Sequence, residues 1–250
     1  MRRCAFAARV RAQQSWNVRH AFSITIFACV LAVAAKAQTG DEMQANALYR
    51  HAIAQSERAS KLERRGKEQE AIDAYEAAGQ LCEGALGELD AAATPLANRS
   101  PDLYYRAATS FLHAGRLLAE AREEGRRKDE DLRKAVVYLD LVETLEAERA
   151  RQANRPINPE VWRVRNAAGY ASFLRGELAQ ARLHYEAVLE MNPTYAPADK
   201  AIAEINKLER AQNEIFSPQG RTLNKEKNRR AIRDVIETLK LVRDIVTLGR

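Results

Sequence analysis

The sequence predicts an all-α protein, and three observations point to this class. Ala, Leu, Glu, Lys and Arg account for 133 of the 250 residues, a balance typical of long-helix proteins. From residue 41 onward, apolar residues recur at spacings of three and four, which is the period of one helical face. Gly and Pro interrupt this pattern at intervals, as expected where one helix ends and the next begins. Extensive β-sheet is therefore excluded.

The charge is distributed unevenly along the chain. Residues 1–40 contain six basic residues and no acidic one, whereas residues 41–250 contain 34 of each. A protein that binds nucleic acid through the phosphates needs a net positive surface. Because the body is neutral, no nucleic-acid partner is expected.

The N-terminal residues 1–37 have the layout of a signal peptide. Residues 1–20 carry five arginines, residues 21–35 form an uncharged apolar run, and small residues follow at Ala35 and Ala37. This run is shorter than the roughly 18 to 20 residues that span a bilayer. We expect cleavage near Ala37 and a periplasmic or secreted protein. An uncleaved leader that anchors the protein to the membrane, or a mitochondrial transit peptide, is the alternative.

The first three helices follow from periodicity and punctuation. The first is predicted over residues 41–64, ending near Gly66, where glycine closes helices readily. The second is predicted over residues 67–92, and a third begins at Ser100-Pro101, where serine is a good N-cap and proline suits the first helical position. One face of the second helix carries Ala71, Tyr75, Ala78, Cys82, Ala85 and Leu89.

The middle of the chain predicts two further helices. The charged run 122–131 is interpreted as a solvated turn, followed by a helix over residues 131–152. Asn158-Pro159 is predicted to open the fifth helix. The apolar stripe of the fourth helix consists of Ala135, Val136, Leu139, Val142 and Leu145.

Residues 162–193 resemble a tetratricopeptide repeat, a helix-turn-helix unit of 34 residues. The residues that carry the resemblance, and that we assign to repeat packing, are Trp162, Gly169, Gly176, Ala181, Tyr185 and Pro193. Gly66, Ala71 and Tyr75 repeat part of this spacing, and residues 101–152 form a third, longer hairpin. The glycines at 66, 115 and 176 are unevenly spaced, so the array is irregular.

The resemblance implies a short right-handed α-solenoid of stacked antiparallel hairpins with C-terminal capping helices. We expect residues 38–214 to form this repeat domain, with a cap that starts near residue 196. Residues 215–250 are expected to hold a C-terminal amphipathic helix. Its segment 221–250 carries nine basic and four acidic residues, which suggests possible peripheral contact with an anionic membrane.

No enzymatic activity, cofactor or metal is expected from the sequence. It contains none of the short motifs that mark zinc proteases, nucleotide-binding loops or serine hydrolases. His51, His113 and His184 are widely separated along the chain, whereas a zinc site needs three or four converging ligands. Cys82 lies on an apolar stripe, where a small buried packing residue is expected.

The resemblance also implies a concave groove lined by the first helix of each hairpin. The positions it nominates for partner binding are Ser56, Ser60, Tyr105, Thr109, Arg163, Asn166 and Tyr170. A Lys and Asn pair that clamps a terminal carboxylate in some members is replaced here by Ser56 and Ser60. We therefore predict an exported, non-enzymatic adaptor or scaffold that binds a protein or peptide partner. A membrane-associated envelope assembly factor and a non-catalytic enzyme subunit are the alternatives.

Overall fold

The computed structural model describes residues 40–121 and 125–216. The leader 1–37 and the basic segment 221–250 lie outside the described residues, so the predictions about them stay predictions. Within the described ranges the chain is helical throughout and has no strand, which confirms the all-α class. No described helix is both long and apolar enough to cross a bilayer.

Seven α-helices follow one another along the described chain. Their bounds are 40–64 for α1, Glu68–Ala91 for α2, Pro101–Glu120 for α3, Arg126–Gln152 for α4, Trp162–Leu174 for α5, Leu178–Met191 for α6 and Ala196–Phe216 for α7. Two short 3-10 turns, Leu96–Asn98 and Pro159–Val161, precede α3 and α5.

Consecutive helices pack as antiparallel pairs. Gln44 near the start of α1 donates a hydrogen bond to Glu88 near the end of α2. At the other end of the same pair, Tyr75 of α2 donates to Glu63 of α1 over 2.9 Å. The pairs α3–α4, α5–α6 and α6–α7 also make extensive contact.

Helix α3 contacts both α1 and α5, and α2 contacts α4. Arg116 of α3 donates to Glu63 of α1, although the two residues are 53 positions apart, and α3 also packs against α5. Between α2 and α4, Arg127 donates to Glu76, which is 51 residues away. We refer to α1, α3 and α5 as the inner helices and to α2, α4 and α6 as the outer helices.

Small residues let the helices approach closely. A Cβ atom on Gly115 of α3 would lie 2.6 Å from the Cγ of Leu132 on α4. A Cβ on Gly169 of α5 would lie 3.1 Å from the ring of Tyr185 on α6. Ala181 is fully buried and Tyr185 nearly so. The core they join is mostly Ala and Leu, which pack densely without polar atoms.

The turns follow the predicted punctuation. Gly66 and Gly176 have φ of 70° and 79°, a left-handed conformation that costs other residues strain. Helix α6 ends at Met191, two residues before Pro193, which cannot continue it.

Three details of the prediction are wrong. Helix α4 begins at Arg126, so most of the charged run 122–131 is helical, and Arg127 at its start pairs with the α2 carboxylates of Asp73 and Glu76. Ser100 precedes α3 without a side-chain capping bond. Asn158 accepts a hydrogen bond from the Glu160 amide over 3.0 Å, but it opens the 3-10 turn before α5.

Candidate binding groove

The inner helices enclose one open groove of about 560 Å³. All seven residues nominated from the sequence line it, although they come from three helices that are distant along the chain. The lining consists of Ser56, Glu57, Ser60, Tyr75, Tyr105, Arg106, Thr109, Leu112, His113, Arg116, Trp162, Arg163, Asn166, Ala167, Tyr170 and Tyr195. The groove is therefore polar and aromatic rather than purely apolar.

The nominated residues differ in how much they can offer a partner. Tyr105 is 40% exposed, and Arg163 is also exposed; Ser56, Ser60 and Thr109 are half-buried. The Thr109 hydroxyl already donates to backbone carbonyl groups of its own helix. Tyr170 is only 1% exposed, so its ring belongs mainly to the packed wall of the groove.

A buried charge cluster fixes the floor of the groove. The Arg116 guanidinium, 7% exposed, lies 2.5 Å from Glu63 of α1 and 2.9 Å from Glu120 on its own helix. Burial alone lowers the pKa of Arg116, but the two carboxylates outweigh it and raise the pKa. For Glu63, burial raises the pKa and the Arg116 charge and its hydrogen bond bring it below the usual value. The pair holds α1 and α3 together in one register.

Aromatic rings extend the same cluster. Tyr75 donates to Glu63 and stacks on His113, with ring centroids 5.0 Å apart. Burial, followed by the Glu63 charge, raises the pKa of Tyr75, so its hydroxyl remains protonated and continues to donate. Both oxygens of Glu63 are therefore used within the protein.

A second aromatic group lies at the α5 end of the groove. Trp162 contacts Tyr195 with ring centroids 4.5 Å apart. The Arg163 guanidinium lies 5.4 Å from the Trp162 ring and forms an ion pair with Glu160 at 2.6 Å. These flat, half-exposed rings offer a partner a large contact area at low entropic cost.

Two polar groups in the groove are only partly satisfied. Asn166 is 7% exposed, and its Oδ1 accepts no hydrogen bond from the described residues. A buried amide oxygen without a donor is costly. Arg106 lies near Tyr49, where its charge opposes the rise in pKa that burial causes in that hydroxyl, but within residues 40–121 and 125–216 it forms no ion pair.

Sequence reasoning missed several lining residues. Arg106 and His113 lie on the same helix as Tyr105 and Thr109, and their spacing could have indicated them. Arg116 was unexpected because arginine is almost never fully buried unless it is paired. Tyr195 follows Pro193, and nothing in its local pattern indicates contact with Trp162.

Cys82 and His184, outside the groove, are buried packing residues. Cys82 is completely buried, and this burial raises the pKa of its thiol to about 12. His184 is buried where Arg165 donates to its Nδ1 over 3.2 Å; burial and this cation lower its pKa. Within the described residues, no three His, Cys, Asp or Glu side chains converge as a metal site requires.

No family model, curated protein or solved structure matches this chain. What the described residues themselves define is an all-α protein with one polar and aromatic groove between three inner helices.

Proposed function

We propose that the protein is a tetratricopeptide-like adaptor that binds an extended segment of a protein partner in its groove. The observation that carries this proposal is that α1, α3 and α5 converge on one groove. Its exposed rings and polar groups suit a polypeptide, which offers both side chains and backbone hydrogen bonds.

The packing supports a solenoid-like arrangement. Antiparallel pairs follow each other, and the inner helices contact their next inner neighbours. The contact of Gly169 with Tyr185 is the close approach expected within a tetratricopeptide hairpin. Two of the hairpins are longer than the 34-residue unit. Residues 40–91 hold α1 and α2, and α3 and α4 alone contain 20 and 27 residues, whereas α5 and α6 contain 13 and 14. The proposed solenoid is accordingly an irregular member of that class.

Pre-organisation supports recognition. The floor residues Arg116, Glu63 and Tyr75 are held by mutual hydrogen bonds, so binding need not order them. The Asn166 oxygen has an unused acceptor that a peptide amide could satisfy after a small side-chain adjustment. Tyr105 and Trp162 provide the type of rigid aromatic surface that often dominates binding energy.

Export is part of the proposal and has its own test. The leader layout favours action in the periplasm or outside the cell. N-terminal sequencing of the protein from its native host should then find a mature start near Gln38. An intact Met1 would contradict cleavage without affecting the groove.

A photo-crosslinking residue placed in the groove tests the function. We would install it at Tyr105, which is exposed there, and as a control at Leu183, which is exposed on α6 outside the groove. The proposal expects a defined protein to crosslink at position 105 only. The purified partner should then bind the full chain, and Tyr105→Ala with Arg163→Ala should weaken it about a hundredfold if both are hot-spot residues.

Leu183→Ala should leave the affinity unchanged. Equal crosslinking at both positions, or full affinity in the double variant, would show that the groove is not the binding surface. Far-UV circular dichroism of each variant checks that the helices are intact.

A further inference from the structure

The charges in the groove differ in sign from those of the surrounding body. Residues 40–216 contain 25 basic and 30 acidic residues, so this part of the chain is net acidic. The groove, however, is lined by Arg106, Arg116 and Arg163 and by a single carboxylate, Glu57. Cations are thus concentrated where a partner would lie.

These three arginines are not equally available. Arg116 is neutralised by Glu63 and Glu120 in a buried cluster. Arg163 pairs with Glu160, but both side chains are 53% exposed, and an exposed pair of this kind contributes little and exchanges readily. Arg106 lies close enough to Tyr49 for its charge to oppose the rise in pKa that burial causes in that hydroxyl, and it takes part in no ion pair within the described ranges.

The ends of this chain do not complement the groove. Residues 1–39 contain six basic residues and no acidic one, and residues 217–250 contain nine basic and four acidic residues. Either segment would bring like charge toward Arg106 and Arg163, which costs binding energy. Charge complementarity therefore favours a separate, acidic partner.

Given the proposed function, on which this step rests, we infer that the occupant is an internal acidic segment of another protein. Arginine matches a carboxylate with two parallel hydrogen bonds. Arg106 lies on α3 and Arg163 on α5, and neighbouring helix axes are about 8–10 Å apart. Because an extended polyproline-II segment advances about 3.1 Å per residue and places every third side chain on the same face, two Asp or Glu side chains three residues apart match the two arginines. A single terminal carboxylate matches only one.

The side chain between these two acidic residues is expected to be aromatic or apolar. Trp162 and Tyr105 provide half-exposed and exposed rings in the groove, and aromatic contacts contribute beyond their buried area. The segment therefore combines two carboxylates for orientation with one hydrophobic anchor.

A peptide library tests this inference with the full 250-residue chain. The probe is a randomised library of ten-residue peptides with acetylated and amidated ends, followed by fluorescence anisotropy of the selected sequences. We expect Asp or Glu to be enriched at two positions about three apart. Replacing both by Asn or Gln should weaken binding at least about tenfold. A free C-terminus should not substitute for the internal pair.

Substitutions of Arg106 test whether this residue binds the acidic peptide. Arg106→Gln should lose about tenfold in affinity for the acidic peptide and nothing for its amide analogue, whereas Arg106→Lys should recover part of the loss because it keeps the charge. Arg133→Gln is the matched control, since Arg133 is exposed on α4 outside the groove. Circular dichroism confirms folding of each variant.

Each outcome discriminates between the two proposals. Selection of neutral or basic peptides that require Tyr105 would overturn the acidic partner while leaving the groove function in place. Equal affinities of the Arg106→Gln and Arg133→Gln variants for the acidic peptide would also overturn it. If the library yields no binder at all, the acidic partner and the peptide-binding function both fall.

Discussion

The inner and outer helices are joined across hairpins by different kinds of contact. Between α1 and α3, the cross-hairpin contact is the Arg116–Glu63 pair, whose guanidinium is buried and whose carboxylate also accepts from Tyr75. Between α2 and α4, Arg127 bridges Glu76 and Asp73 while remaining 44% exposed. The inner guanidinium is shielded from water, at 7% exposed, and the outer one is not.

This difference indicates which helices determine the geometry of the groove. A buried ion pair costs desolvation energy when it forms, and loss of one partner strongly destabilises the protein. Only one arrangement of the two helices that carry the pair is therefore favourable. An exposed pair contributes little and is easily rearranged. We therefore expect the inner helices to define the geometry of the groove and the outer helices to tolerate substitution.

The largest expected effect is at the α3–α4 contact, which joins the two layers. Gly115→Val places a branched side chain 2.6 Å from the buried Leu132 Cγ. Overpacking of this kind costs about 3 kcal/mol of unfolding free energy, measurable by urea denaturation. Gly87→Val on α2, with nothing within 4 Å of its Cβ, is the control and should change stability by less than about 1 kcal/mol. Equal losses would show that the close approach is not responsible.

The difference between the inner and the outer helices is tested by removing one arginine from each set. Arg116→Met should cost about 3 kcal/mol, because Glu63 is left partly buried without its cation. Arg127→Met should cost less, about 2 kcal/mol, since water can solvate Asp73, which is 61% exposed, although Glu76 is only 17% exposed. Chemical denaturation of both variants measures the difference. Losses of the same size would mean that burial does not separate the two layers.

Asp131, on the outer helix α4, should make the stability of the protein depend on pH. Burial raises the pKa of Asp131 to about 7, with a smaller contribution from the neighbouring Glu76 charge, against about 3.9 in the unfolded chain. The folded state therefore binds the additional proton between about pH 4 and pH 7, and this group destabilises the protein progressively across that window as the pH rises.

Asp131→Asn removes the titration, because the amide resembles the protonated acid. It should stabilise the protein by about 2 kcal/mol at pH 8 and by little at pH 4, as measured by urea denaturation at each pH. A gain that is the same at both values would contradict an ionised Asp131 as the cause.

The smallest effect is expected for a solvated pair at the start of α2. Lys67 lies three residues before Glu70, and their side chains are 53% and 54% exposed. Lys67→Gln should change the unfolding free energy by less than about 0.5 kcal/mol, read from the denaturation midpoint. A loss above 1 kcal/mol would assign such exposed pairs a larger role than the comparison allows.

The helices could be predicted because their signals are local. Apolar residues at spacings of three and four, together with Gly66, Pro101 and Gly176, located the ends of several helices within a few residues. The start of α4 could not be predicted in this way. Arg127 is helical in a strongly charged run, and its partner Glu76 is 51 positions away.

The residues of the groove also fall into two groups, those that local sequence patterns predict and those that depend on distant contacts. The seven nominated residues line one groove, and their role in binding stays a prediction. Arg116 and Tyr195 were missed because their environments are created by tertiary contacts with Glu63 and Trp162. From sequence alone, a charged residue is expected to be exposed to solvent. Only the folded structure shows which charged residues are buried beside a residue of opposite charge.

The spacing of the contacts across hairpins determines how this architecture can be lengthened or shortened. Glu63 meets Arg116 after 53 positions, and Glu83 meets Lys134 after 51. An insertion of one consensus unit of about 34 residues would bring side chains of the wrong charge and size opposite these anchors. We expect a duplication of about 50 residues, copied from this chain itself, to preserve the contacts between inner helices and those between outer helices. It would extend the groove by one helix.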